Sequence, residues 1–268
     1  MTRGRWFPPL LILALTLALA FLTLPVVAIF VDVRPGDLLA ALDDDESLDA
    51  LRVSLETTLV ALAVIVVVGT PAAWFLATRE FRGRALATTL VELPLVLPPA
   101  VAGVGLLAAV GPEGFLGPAL ADAGVELVFA KAGVIVALVF VASPFYIRLA
   151  QAAFSSLDPT LLDASRTLGA TEARTFTRVA LPATLPSLAA GAALAWGRAL
   201  GEFGATLLFA GSLQGTTQTA PLAIFARLST DFPGALALSA VLVALAAAIL
   251  LGVKLSTGRG IGGAPAHS

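Results

Sequence analysis

The sequence predicts an all-α membrane protein with six transmembrane helices, and three observations carry that expectation. Of the 268 residues, 58% are hydrophobic and only 13% are charged, with a mean hydropathy of +0.96. A soluble domain carries about 25% charged residues, and half that share cannot coat a globule of this length with hydrated surface. Apolar stretches of the ~20 residues needed to cross a bilayer recur along the chain. None alternates with the period of two that a membrane barrel requires, and stretches apolar all round satisfy their backbone in lipid as helices.

The first stretch, residues 6–31, follows Arg3 and Arg5 and is charge-free. Ala18-Leu19-Ala20 has the small residues of a cleavage site, but the run outlasts the ~7–15 apolar residues of a signal core and reads as an anchor. Residues 57–78 form the second stretch, and 85–110 the third, interrupted by Glu92. The fourth, 127–147, carries Lys131 near its start; the fifth, 184–210, contains Arg198 and Glu202; the sixth is 232–253. Three divisions follow: residues 1–52, the first helix with an external acidic loop; 53–256, the core, with a long cytoplasmic loop at 148–183; and 257–268, a cytoplasmic tail.

Lys and Arg between the spans set the orientation. With the N-terminus inside, Arg3, Arg5, Arg79, Arg82, Arg84, Arg148, Arg166, Arg174, Arg178, Lys254 and Arg259 are cytoplasmic. Only Arg34, Arg52, Lys131 and Arg227 fall outside, so both termini are expected in the cytoplasm of a cell-membrane protein. The run Asp43-Asp44-Asp45-Glu46 then belongs to the first external loop.

Much chemistry is excluded. The chain has no Cys, and its one His, His267, sits among Gly, Ala and Pro near the C-terminus. Thiolate or histidine catalysis and the common metal sites lack their residues, so no catalytic residue and no metal ligand is expected. No Gly-x-x-x-x-Gly-Lys-Ser/Thr is present, so the chain carries no phosphate-binding loop of its own.

The 148–183 segment reads as two short helices around a glycine. Asp158-Pro159 signals a turn, and Thr160 is the expected N-cap, with Thr160-x-x-Asp163 resembling a capping box. Leu161, Leu162, Ser165 and Leu168 give one apolar face, Gly169 can end the helix in a left-handed conformation, and a second helix starts at Thr171. Within the membrane, Glu92 precedes Leu93-Pro94-Leu95-Val96-Leu97-Pro98-Pro99, which cannot be an unbroken helix. That span is either a kinked packing helix or one that lines a wet pathway, and Gly103 and Gly105 allow close helix approach. Arg198 and Glu202, four apart, are read as sharing one helix face, either as a neutralising ion pair or on a translocation surface.

Asp163-Ala164-Ser165, Gly169-Ala170 and Val179-x-Leu181-Pro182 resemble the EAA motif of ABC-importer permeases, with Asp for Glu at 163 and Ser for Ala at 165. The strings Arg198-Ala199-Leu200-Gly201-Glu202-Phe203-Gly204-Ala205-Thr206 and Leu93–Pro99 resemble the molybdate/tungstate branch, related to the sulfate/thiosulfate permeases. The resemblance covers about residues 52–255 and implies a type I ABC-importer permease fold. It implies that Asp163, Ala164, Ser165, Arg166 and Gly169 couple to an ATPase subunit. It places Glu92, Pro94, Pro98, Pro99, Arg198 and Glu202 on the translocation pathway. The expected partners are two ATPase subunits, an extracytoplasmic oxyanion-binding protein, a second copy of the chain and the lipid bilayer, with no nucleic acid. No cofactor is expected on this chain, with ATP and Mg used by the ATPase. A sulfate/thiosulfate permease is the alternative, and an ion-coupled carrier a more distant one, for which no second half mirrors the third span.

Overall fold

A computed structural model describes residues 7–258, and the described residues form helices joined by turns, with no strand among them. Arg3, Arg5, Arg259 and His267, and nearly all of the expected tail, lie outside the described residues. Helix α1 (Phe7–Asp32) buries no residue and packs chiefly against the last helix, α13 (Phe232–Gly258). After the short α2 (Pro35–Asp43), α3 (Asp45–Thr78) runs unbroken for 34 residues. The acidic run is therefore helical rather than a plain loop: Asp43 ends α2, and the rest opens α3. Asp44 is its N-cap, accepting from the Ser47 N–H at 2.9 Å, and Asp45 and Glu46 occupy the first turn, where carboxylates suit the positive helix end.

The core is the pairing of α3 with α7 (Lys131–Ser155), and small residues make it close. Ala50, Ser54, Thr58, Ala61, Ile65, Gly69 and Ala73 recur every three or four residues along the buried face of α3. At Gly69 a Cβ would lie 2.9 Å from the Tyr146 ring of α7, and the Tyr146 hydroxyl meets Thr70 Oγ1 at 2.6 Å.

The third span is broken, as its prolines require. α4 (Arg84–Val96) and α5 (Pro99–Val110) meet at Leu97–Pro98 with a bend of 118°, sharper than a kink. After α6 (Gly117–Asp122) and α7 come α8 (Pro159–Thr167) and α9 (Glu172–Thr175), which continues through a π turn, Phe176–Ala180, into α10 (Leu181–Leu200). The fifth span is displaced from the expected 184–210. The apolar rod is Glu172–Leu200, and residues 204–210 form a separate helix, α11 (Gly204–Ala210), because the chain breaks at Gly201–Phe203. α12 (Ala220–Arg227) then leads to α13. Among the described residues, five helices are long and apolar enough to span a membrane, and six if the bent pair counts as one. Large apolar side chains stay exposed along these rods, Phe21 at 76% and Val67 at 72%, as a lipid-facing surface permits.

Candidate functional site

The two helix breaks face each other. α5 begins with Pro98 and Pro99, which lack an N–H, so half of the four orphan donors of a helix start are absent. Gly204, the first residue of α11, sits against that start: a Cβ there would lie 2.9 Å from Pro99 Cβ. One turn on, a Cβ at Gly103 would lie 2.9 Å from the Ala205 carbonyl oxygen, so α5 and α11 pack nearly backbone to backbone. Gly105, expected to help, has open space around it.

Glu202 occupies this junction and is 2% exposed. It lies beyond the end of α10, so the expected shared helix face with Arg198 is replaced by a turn that brings the two together. Its Oε2 pairs with Arg198 Nη2 at 2.6 Å, and its Oε1 accepts the Ala205 N–H of α11 at 2.8 Å. A buried carboxylate is tolerated when a cation and hydrogen bonds satisfy it, and both are present. The Arg198 side chain keeps 28% of its surface, and the guanidinium has further N–H donors beyond the one given to Glu202.

Of the other residues expected on the pathway, Pro98 and Pro99 are exposed beside the junction, whereas Glu92 and Pro94 sit on α4. Glu92 pairs with Arg148 of α7 at 2.7 Å, both about half exposed, which ties the first half of the broken span to α7. A polar layer absent from the sequence reading lies along α3. Trp196 Nε1 donates to Thr58 Oγ1 at 3.2 Å, and Ser54 Oγ accepts the Ala220 N–H that opens α12 at 2.7 Å.

At the opposite end of α10, α8 and α9 flank Gly169 as expected, with one change. Asp158, not Thr160, is the N-cap of α8, accepting the Thr160 N–H at 2.9 Å, which holds its carboxyl below the usual aspartate range. With Pro159 at the first helical position the cap must precede it. Asp163 forms no capping box; it pairs with Arg166 at 3.0 Å. Gly169 has φ +77°, and the Gly169 and Ala170 N–H groups reach the Arg166 and Ser165 carbonyls, closing the helix in a Schellman motif. Ser165 Oγ meets Thr175 Oγ1 at 2.9 Å, and Glu172 pairs with Arg79 in the α3–α4 turn. Beneath this segment Trp74, Phe154 and Phe176, one each from α3, α7 and the π turn, pack with ring centroids 5.3 to 6.1 Å apart. Leu157 and Leu162 join them.

At the far end of α3, Arg227 of α12 pairs with Asp44 and Glu46 and donates to Ser47. The Arg227 guanidinium beside Asp44 holds its carboxyl below the ordinary value, against the opposing pull of burial.

A family model described as binding-protein-dependent transport system inner membrane component matches residues 65–257. The molybdenum transport system permease protein ModB of Mycobacterium tuberculosis is 39% identical over 241 residues, 89% of this chain and 90% of that protein. The sulfate transport system permease protein CysT of Salmonella typhimurium is 39% identical over 209 residues, 78% of this chain and 75% of its own length. Among solved structures, a chain of a bacterial alginate ABC transporter in complex with its periplasmic protein superposes with a TM-score of 0.76 at 18% identity. The match covers 97% of this chain and 96% of that one. That likeness establishes the permease fold expected from the motifs.

Proposed function

This chain belongs to the family of binding-protein-dependent transport system inner membrane components, and on that premise we propose that it translocates molybdate or tungstate as the membrane subunit of an ABC importer. The observation that carries the reading is the junction of two broken helices around a buried carboxylate and a partly exposed arginine. Discontinuous helices at membrane depth expose backbone and helix ends to a permeant species, and Arg198 supplies a weak cationic step for an oxyanion. The substrate rests on the ModB relative, which this chain matches over more of its length than the sulfate relative.

Both termini lie in the cytoplasm in this reading, by the excess of Arg and Lys on that side. Two copies enclose the pathway, and an external binding protein delivers the anion. Two ATPase subunits bind ATP with Mg and engage the segment around Asp163, Ala164, Ser165, Arg166 and Gly169. Their closure moves that segment, and the aromatic cluster under it carries the motion into α3, α7 and α10, switching access from one side to the other. This subunit catalyses no reaction itself.

The test is uptake into proteoliposomes holding the assembled transporter and its binding protein, with labelled molybdate against a hundredfold excess of sulfate. Uptake that needs ATP and resists sulfate is expected. Full competition by sulfate reverses the substrate assignment in favour of the sulfate reading, and ATP-independent uptake refutes the importer.

A further inference from the structure

We propose that a groove between α3 and α10 holds one tail of an anionic phospholipid, with the headgroup on Arg82. The lipid belongs to the leaflet on the side of the α3–α4 turn. The groove has a volume of about 560 Å³, with Val67, Pro71 and Leu185 exposed along it and the buried Tyr146 of α7 at its back. Its size decides what it can hold. It follows α10 from Leu181 to Ala192, roughly 16 Å at the helical rise. That matches the depth of one leaflet, half of the ~30 Å hydrocarbon core. Spread over that length, the volume makes a slot roughly 7 Å wide. An α-helix with its side chains is ~10–12 Å across, so a helix of a second copy can lie over the slot but not in it. A lipid tail, a single file of methylenes, fits.

The lining asks for an apolar guest. Its polar side chains, Thr70 and Tyr146, are satisfied inside the fold: Thr70 Oγ1 donates to the Val66 carbonyl and meets the Tyr146 hydroxyl, both at 2.6 Å. A guest that brought a polar group into the slot would bury it unpaired. The end of α3 supplies the charge. One turn beyond Pro71 comes Phe75, whose ring packs on Phe81 of the α3–α4 turn with centroids 5.1 Å apart, both rings exposed. Two of the three arginines in that turn region are engaged with the protein. Arg79 pairs with Glu172, and Arg84 Nε donates to the Leu76 carbonyl at 3.0 Å. Arg82 is exposed and, among the described residues, has no carboxylate within ion-pair distance. A free guanidinium past the apolar end of a span binds phosphate bidentately, and its charge selects an anionic lipid over a neutral one.

The test places the full chain in phosphatidylcholine nanodiscs with phosphatidylglycerol that carries a photoreactive group midway along one tail. Labelled residues are then identified by mass spectrometry. Labelling is expected to concentrate on Val67, Leu185 and Ala189, several-fold above Phe21 of the unburied α1, which reports ordinary bilayer contact. Arg82→Gln, at an exposed turn position, should lower groove labelling about fivefold with the melting temperature unchanged. Ala189→Phe, which fills the slot, should abolish groove labelling and leave that of α1 intact. Equal labelling of the groove and α1 would show bilayer contact only and overturn the proposal. Undiminished groove labelling in Arg82→Gln overturns it as well. The chain has no native Cys, so Val67→Cys gives a unique thiol. Its cross-linking to a second copy in place of lipid labelling would put protein in the groove and refute the lipid.

Discussion

Glu202 supports two structures at once, and they can be separated by substitution. Glu202→Gln keeps an oxygen to accept the Ala205 N–H but removes the charge opposite Arg198. Removing one partner of a fully buried pair costs about 3–5 kcal/mol, and an exposed pair is worth about 0.2–1 kcal/mol. Glu202 is buried while the Arg198 side chain retains 28% exposure, which places the loss between those limits, at roughly 2 kcal/mol. Glu202→Ala removes the acceptor too, adding the ~1 kcal/mol of a lost helix cap. The melting temperature of the purified chain should therefore fall by about 4–8 °C for Glu202→Gln and further for Glu202→Ala. Repeating Glu202→Gln in an Arg198→Met background closes a double-mutant cycle, in which the pair should show a coupling of about 1–2 kcal/mol. Additive losses, or equal stability of the Gln and Ala variants, would refute the assignment of both roles to this one carboxylate.

Gly204→Ala forces a Cβ to 2.9 Å from Pro99 Cβ, well inside the ~3.5–4.0 Å of an ordinary carbon contact. The two half-helices must separate, so we expect a loss of about 1–3 kcal/mol and a larger fractional fall in transport than Gly105→Ala, where the space is open, produces. Asp44 gives a pH signature. Its carboxyl is held below the ordinary ~3.9 by Arg227, so its contribution is present above that value and disappears as pH falls through the folded one. Asp44→Asn should melt lower than wild type near neutrality, by the equivalent of about 1 kcal/mol after allowing for its partial exposure. Melting curves of the two proteins should converge below about pH 4, and a constant gap down to pH 3 would contradict this.

Span number and the break in the third span were legible because hydropathy and proline act locally. The consecutive Pro98 and Pro99 remove adjacent N–H donors and end α4 locally, whereas Pro94 is carried inside that helix, and the 118° bend depends on α5 docking against α11 through Gly103 and Gly204. Hydropathy misplaced the fifth span because residues 204–210 are as apolar as the helix before them. The break at Gly201–Phe203 is visible only as a pair of glycines around a carboxylate, and its reality rests on Pro99 of a distant segment. The acidic run was misread for the opposite reason: its role as a helix start was local and available, since Asp44 precedes Ser47 at capping distance along the chain. Arg227, 183 residues away, completes it and could not be foreseen. The same holds for Trp74, Phe154 and Phe176, whose meeting is purely tertiary.

Among the described residues, helix α1 buries none of its 26 residues and packs chiefly against α13. Its place is held by the solvent it lives in rather than by neighbours: water rejects it and the hydrocarbon accepts it, whatever the other helices do. During synthesis it is a finished piece as soon as it enters the bilayer, whereas α3, α7 and α10 must wait for one another across more than a hundred residues. α1 is thus a helix that the rest of the described fold does little to hold, beside a bundle whose members hold one another.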